Sequence, residues 1–154
     1  MKFQFSFFTQ YGQFYLADEK SAGNTDSDNF WNDESFNDKL AIEDGILGIS
    51  LENDEAIANG ELEILNKRQK ISGSEKADHI VEASIKVNSG KLQIQDCPNS
   101  QTELEIELEA AWYRIRVYSM NLNRAYESEP GDFYRIEIWK EGYSPKIVLK
   151  RWSR

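Results

Sequence analysis

The run Thr102-Glu103-Leu104-Glu105-Ile106-Glu107-Leu108-Glu109-Ala110-Ala111-Trp112-Tyr113-Arg114-Ile115-Arg116-Val117-Tyr118 places apolar side chains at every second position on both sides of an Ala-Ala step. Leu104, Ile106 and Leu108 alternate with four glutamates, and Tyr113, Ile115 and Val117 alternate with Arg114 and Arg116. A period of two is that of a strand with one buried and one wet face. Glu103, Glu105, Glu107 and Glu109 therefore read as a solvated face rather than a site. If the two runs pair about Ala110-Ala111, then Leu104/Val117, Ile106/Ile115 and Leu108/Tyr113 meet on one side. Glu105/Arg116 and Glu107/Arg114 then meet on the other. Ala-Ala lacks the positive-φ chemistry of a two-residue turn, so a longer corner between two sheets is the competing reading.

The same rhythm extends outward along the chain. Phe3, Phe5 and Phe7 alternate near the start, and in residues 10–16 Gly12, Phe14 and Leu16 share a face. Residues 46–51, 61–65, 80–87, 92–94, 133–139 and 146–152 also read as strands. They are separated by turn chemistry at Asp44-Gly45, Asn59-Gly60, Ser72-Gly73-Ser74, Ser89-Gly90, Pro98-Asn99, Pro130-Gly131 and Gly142-Tyr143-Ser144-Pro145. Short alternating strands with little helix predict a mainly β chain: an antiparallel β-sandwich of about 8–10 strands with one short helix. No linker or repeat divides residues 1–154, which read as a single domain.

One segment breaks the rhythm. Residues 18–44 carry nine acids (Asp18, Glu19, Asp26, Asp28, Asp33, Glu34, Asp38, Glu43 and Asp44) against Lys20 and Lys39, and are interrupted by Ala22-Gly23-Asn24. Within this acidic connection, residues 31–40 have an Asn/Asp cap, acids in the first turn and Phe36/Leu40 at i,i+4, which predicts about two helical turns. Charge is uneven on the larger scale too. Residues 1–66 hold 14 acids and 3 bases, residues 67–111 hold 8 and 6, and residues 112–154 hold 5 and 9.

With 18 Lys+Arg against 27 Asp+Glu, the net charge of −9 disfavours direct binding of nucleic acid and suits a basic protein partner. No run approaches the roughly 18 apolar residues of a membrane span, and Met1-Lys2-Phe3-Gln4 lacks the apolar core of a signal peptide, so a cytoplasmic protein without membrane contact is expected. One Cys and one His leave neither a disulfide framework nor a Cys/His zinc site.

Few residues offer chemistry of their own. His79 lacks an obvious orienting partner and reads as an ordinary surface histidine. Cys97 precedes Pro98 with no Lys, Arg or His within two residues, and reads as an incidental loop thiol. Asn24, Asp26 and Asp28 have the first spacings of a calcium loop, but Asn29 replaces its turn glycine and Ser35 its final glutamate. No Gly-rich phosphate loop, HExxH or GxSxG occurs. The chain is thus expected to be no enzyme, with no catalytic residues, resident metal or cofactor. Of Trp31, Trp112, Trp139 and Trp152, most are expected in the core. Trp31, set among acids, has two readings: an exposed anchor for a partner, or packing of the helix onto the sheet.

Three blocks together resemble a known family. They are Tyr11-Gly12-Gln13-Phe14-Tyr15-Leu16; Trp31-Asn32-Asp33-Glu34 leading to Asp44-Gly45 and Ile49-Ser50-Leu51-Glu52; and Gly131-Asp132-Phe133-Tyr134 ending at Trp139. In order and spacing they resemble the competence protein J family, whose namesake inhibits a DNA-entry nuclease. The blocks leave residues 66–110 unmatched. The resemblance implies a small β-sandwich that acts by binding a nuclease. The chain departs from it in a longer stretch over residues 21–29 and in an extension between Asp44-Gly45 and Ile49, so the family's partner does not carry over.

The acidic first half agrees with that implication on its own terms. The expected function is an acidic immunity or antitoxin-type protein of bacterial origin, binding as a monomer in a 1:1 complex to a cognate toxin, a basic nuclease. Asp26, Asp28, Asp33, Glu34 and Asp38 would meet its Lys and Arg side chains, with Trp31 as anchor. The alternative is a calcium- or carbohydrate-binding β-sandwich module using the same loop.

Overall fold

The computed structural model describes residues 1–21, 23–73 and 75–153; Ala22 of the Ala22-Gly23-Asn24 interruption and Ser74 of the expected turn lie outside the described residues. The chain forms two sheets. The first has the order β1 (Lys2–Gln10), β5 (Glu55–Ile64), β10 (Phe133–Lys140), β9 (Ala111–Met120), β6 (Ala77–Val87) and β11 (Ile147–Lys150). The second runs β3 (Leu40–Glu43), β4 (Ile46–Ser50), β2 (Gln13–Asp18), β7 (Lys91–Gln95) and β8 (Thr102–Glu107). Their inner faces share one core, in which Phe5, Phe7 and Phe14 meet one another and Tyr134 in tilted and edge-on contacts beside Leu16, Leu47, Leu62, Ile115 and Ile136. This is the mainly β sandwich that alternation predicts. Among the described residues no helix is long and apolar enough to cross a membrane.

Four local expectations are corrected. The described residues contain eleven strands, the additional one being β3, which begins at Leu40 where the helix was expected to end. The ladder contains one parallel pair, β5 with β10. Asn59-Gly60 lies inside β5 rather than in a turn: a Cβ on Gly60 would stand 2.0 Å from the Tyr134 carbonyl oxygen and 2.3 Å from the Phe5 ring. Glycine is needed there for close approach. Finally, the hairpin about Ala110-Ala111 does not form. β8 pairs with β7 in one sheet, while β9 lies between β10 and β6 in the other. The connection is the corner between sheets, and the Glu105/Arg116 and Glu107/Arg114 pairs are absent.

Arg114 and Arg116 instead point outward from the first sheet into a buried charge ladder. Glu82, directly opposite Arg116 on β6, accepts from Arg114 Nε at 3.0 Å and Arg116 Nε at 2.7 Å. Glu137 accepts from Arg116, Tyr118 and Arg135. The carbonyls of Gln69, Ser144 and Pro145, in the two connections that cross this face, accept further N–H groups of Arg116 and Arg114. Trp139 is buried here, with the Arg68 and Arg116 guanidiniums each 4.9 Å from its ring.

Candidate functional site

The acidic connection is not a free loop; it is packed onto the outer face of the second sheet. The floor is made of small residues, with Ala17 on β2, Ala41 on β3 and Gly48 on β4, beside Tyr15 and Ile46. Phe30 fills this floor, 1% exposed. A Cβ on Gly48 would lie 2.8 Å from the Phe30 ring and 2.9 Å from the Trp31 ring, so the glycine is what lets both aromatics approach the strand this closely. Sequence reasoning missed Phe30; its apolar side chain in a polar stretch was the available signal.

Helix α1 (Asp33–Asp38) follows directly. Asn32 caps it, accepting from the Ser35 amide at 2.9 Å while the Ser35 hydroxyl accepts from the Asn32 amide at 2.8 Å. Asp33 and Glu34 sit in the first turn, where the helix dipole favours negative charge. Lys39 ends the helix at φ 60°. The helix is shorter than the sequence suggests, because Leu40 turns into β3 and the buried core. Phe36, its expected i,i+4 partner, is exposed and stacks on Trp31 with ring centroids 5.1 Å apart.

Asp26 and Asp28 are exposed on the connection, as are Asp33 and Glu34 on the helix. Asn24 Oδ1 accepts from the Asp26 amide at 2.9 Å, closing an Asx turn. Among the described residues no group of three or more His, Cys, Asp or Glu side chains could hold a metal ion. Trp31 is half-buried: its Nε1 donates to Gln13 Oε1 at 2.6 Å, and its ring meets Phe30 edge-on at 5.6 Å. It is a packed residue with one visible edge.

Asp38 differs from the other carboxylates. It is buried, with Oδ1 2.6 Å from Arg151 Nη2 and Oδ2 2.9 Å from Lys146 Nζ. Burial alone would raise its carboxyl, but the two cations more than offset that and hold it below its ordinary value. Its charge is matched inside the protein. Its backbone carbonyl accepts from His79 Nε2 at 2.7 Å, while His79 Nδ1 accepts from the Trp152 amide at 3.1 Å. His79 is therefore no surface histidine; it is fully buried, and burial pushes its ionisation down. Next to it, Lys39 and Glu52 form a buried ion pair at 2.6 Å. A cavity of about 640 Å³ opens beside this pair, lined by Glu34, Phe36, Asp38 and Trp152 among others.

Cys97 is buried too, and its thiol is pushed up chiefly by burial. Trp112 is the tryptophan that leaves the core: it is 36% exposed and meets the more exposed Tyr143 edge-on at 5.3 Å.

Charge separates by layer. The segments that build the second sheet and its covering connection, residues 13–50 and 91–109, hold 14 acids and 3 bases, while the rest of the chain holds 13 acids and 15 bases. The net −11 of one layer contrasts with +2 for the remainder.

The fold recurs in two solved structures. One is ComJ, inhibitor of the DNA degrading activity of NucA, from Bacillus subtilis, with TM-score 0.64 and 16% identity over 92% of this chain and 99% of that one. The other is the crocagin biosynthetic gene J product, with TM-score 0.61 and 13% identity over 92% and 99%. At such identities the likeness shows a shared fold. No protein-family model matches the chain, and no curated protein matches it in sequence.

Proposed function

We propose that this protein is an acidic inhibitor of the immunity or antitoxin type, which binds a basic nuclease in the bacterial cytoplasm and blocks its substrate channel. The observation that carries the reading is the segregation of charge: a layer of net −11 that displays Asp26, Asp28, Asp33 and Glu34 on a connection fixed by Phe30, Trp31 and the Asn32 cap. The ComJ likeness supports it, since that protein of the same fold inhibits a nuclease. Carboxylates held on a packed surface stand in for phosphates, attract a basic catalytic domain over long range and occlude its groove on docking. In this reading Asp38 serves from inside, fixing the end of α1. Trp31 contributes its exposed edge, and the four exposed acids meet Lys and Arg of the partner in a 1:1 complex. Removing a carboxylate that becomes buried at the interface costs about 2–5 kcal/mol, whereas rim carboxylates act mainly on the association rate.

The test is affinity capture of the tagged protein from its host's lysate at low salt and at about 0.5 M salt, where exposed pairs are screened. Retained proteins are identified by mass spectrometry and assayed on plasmid DNA. The expected result is a single basic nuclease whose DNA cleavage stops on addition of the protein. Capture of no nuclease from cells shown to express one beside this protein contradicts the reading.

A further inference from the structure

Trp112 and Tyr143 lie outside the acidic connection, on the far side of the β3–β4 turn. They face Ile42, Glu43 and Asp44 across a groove of about 310 Å³ lined from both sheets. Three of its apolar side chains are exposed: Ile42 at 42%, Trp112 at 36% and Tyr143 at 64%. Lys86, opposite Trp112 on β6, holds its ammonium 6.0 Å from the Trp112 ring, so a cation already lies over this aromatic surface. The groove therefore combines aromatic walls with the β3–β4 turn of the acidic segment, where Asp44 is exposed, while the Glu43 side chain runs toward Gly23. We infer that it receives an arginine side chain of the basic protein partner, its stem on Trp112 and Tyr143 and its guanidinium at the Asp44 end of the groove. Aromatic faces attract guanidinium, and carboxylates accept its forked N–H groups. Trp, Tyr and Arg are also the residues that most often carry interface energy. This rests on the acidic-inhibitor reading and moves the anchor from Trp31, which is packed, to Trp112 and Tyr143.

The test uses an acetylated hexa-arginine peptide as probe, titrated into the 15N-labelled protein at low salt. The expected result is that the Trp112 indole N–H and the Glu43–Gly45 amides shift together. Tyr143→Ala and Asp44→Asn should each weaken these shifts about tenfold in apparent affinity. Lys86→Ala should strengthen them by removing the resident cation, an effect that a purely structural role for Trp112 does not give. Shifts confined to residues 24–34 overturn the groove and leave the inhibitor reading standing. No shift anywhere overturns the groove and also removes the electrostatic support for that reading. Concentration-dependent shifts at Trp112 without peptide show that a second copy occupies the groove, and overturn the inference as well.

Discussion

His79 holds both ring nitrogens in defined roles, with Nε2–H donating to the Asp38 carbonyl and Nδ1 accepting from the Trp152 amide. Only the neutral ring satisfies both bonds, and burial disfavours the cation. The unfolded chain binds a proton near pH 6.5 that the folded one refuses, so stability is fully present above that pH and falls as pH drops toward the depressed folded value. Melting temperature should decline between pH 7 and 5, and His79→Gln, whose amide can donate and accept in the same place, should flatten that limb. Glu82 titrates lower. Burial would raise its carboxyl, but Arg116 and Arg114 hold it below the ordinary 4.5, so its contribution is lost only under stronger acid. Glu82→Gln removes the charge between buried Arg114 and Arg116 and should cost about 3–5 kcal/mol in urea unfolding. Neither role was legible locally. The partners of His79 lie 41 and 73 residues away, and its neighbours in sequence fit a surface and a core position equally well.

Alternation identified ten of the described strands, because each strand's period is set by its own two faces. It did not identify their neighbours. Glu105 and Glu107 match Arg116 and Arg114 on paper as well as Glu82 does in the fold; what separates the two arrangements is the corner at residues 108–110, where Ala110-Ala111 cannot make a tight turn. β3 was hidden because Leu40 fits the helix pattern as well as it fits a strand, and tertiary burial decided between them. The acidic connection was legible in composition, but not the Gly48 floor that fixes it. Gly48→Ala places a methyl against the Phe30 and Trp31 rings, and overpacking of this kind typically costs 1–3 kcal/mol. Limited proteolysis should then cut within residues 19–39 of the variant, and Trp31 emission should shift to the red, while the far-UV signature of the sandwich persists. A variant as resistant as the parent would show that the floor does not hold the connection.

Across the whole molecule, the acidic first half seen in the sequence becomes a layer once the topology is known, since residues 91–109 join residues 13–50 in the second sheet. Of the carboxylates singled out beforehand, Asp26, Asp28, Asp33 and Glu34 reach solvent, whereas Asp38 is matched by Lys146 and Arg151 from the far end of the chain, which sequence proximity cannot reveal. Long-range attraction from such a layer should show as an association rate that falls steeply between 0.05 and about 0.5 M salt while the dissociation rate changes little. The most direct test is a plasmid-degradation assay of the captured nuclease, titrated with the parent protein and with a variant carrying Asp26→Lys, Asp28→Lys, Asp33→Lys and Glu34→Lys. The account predicts that the parent abolishes cleavage at one equivalent and that the folded variant fails to do so even in large excess. Full inhibition by the charge-reversed protein would contradict it.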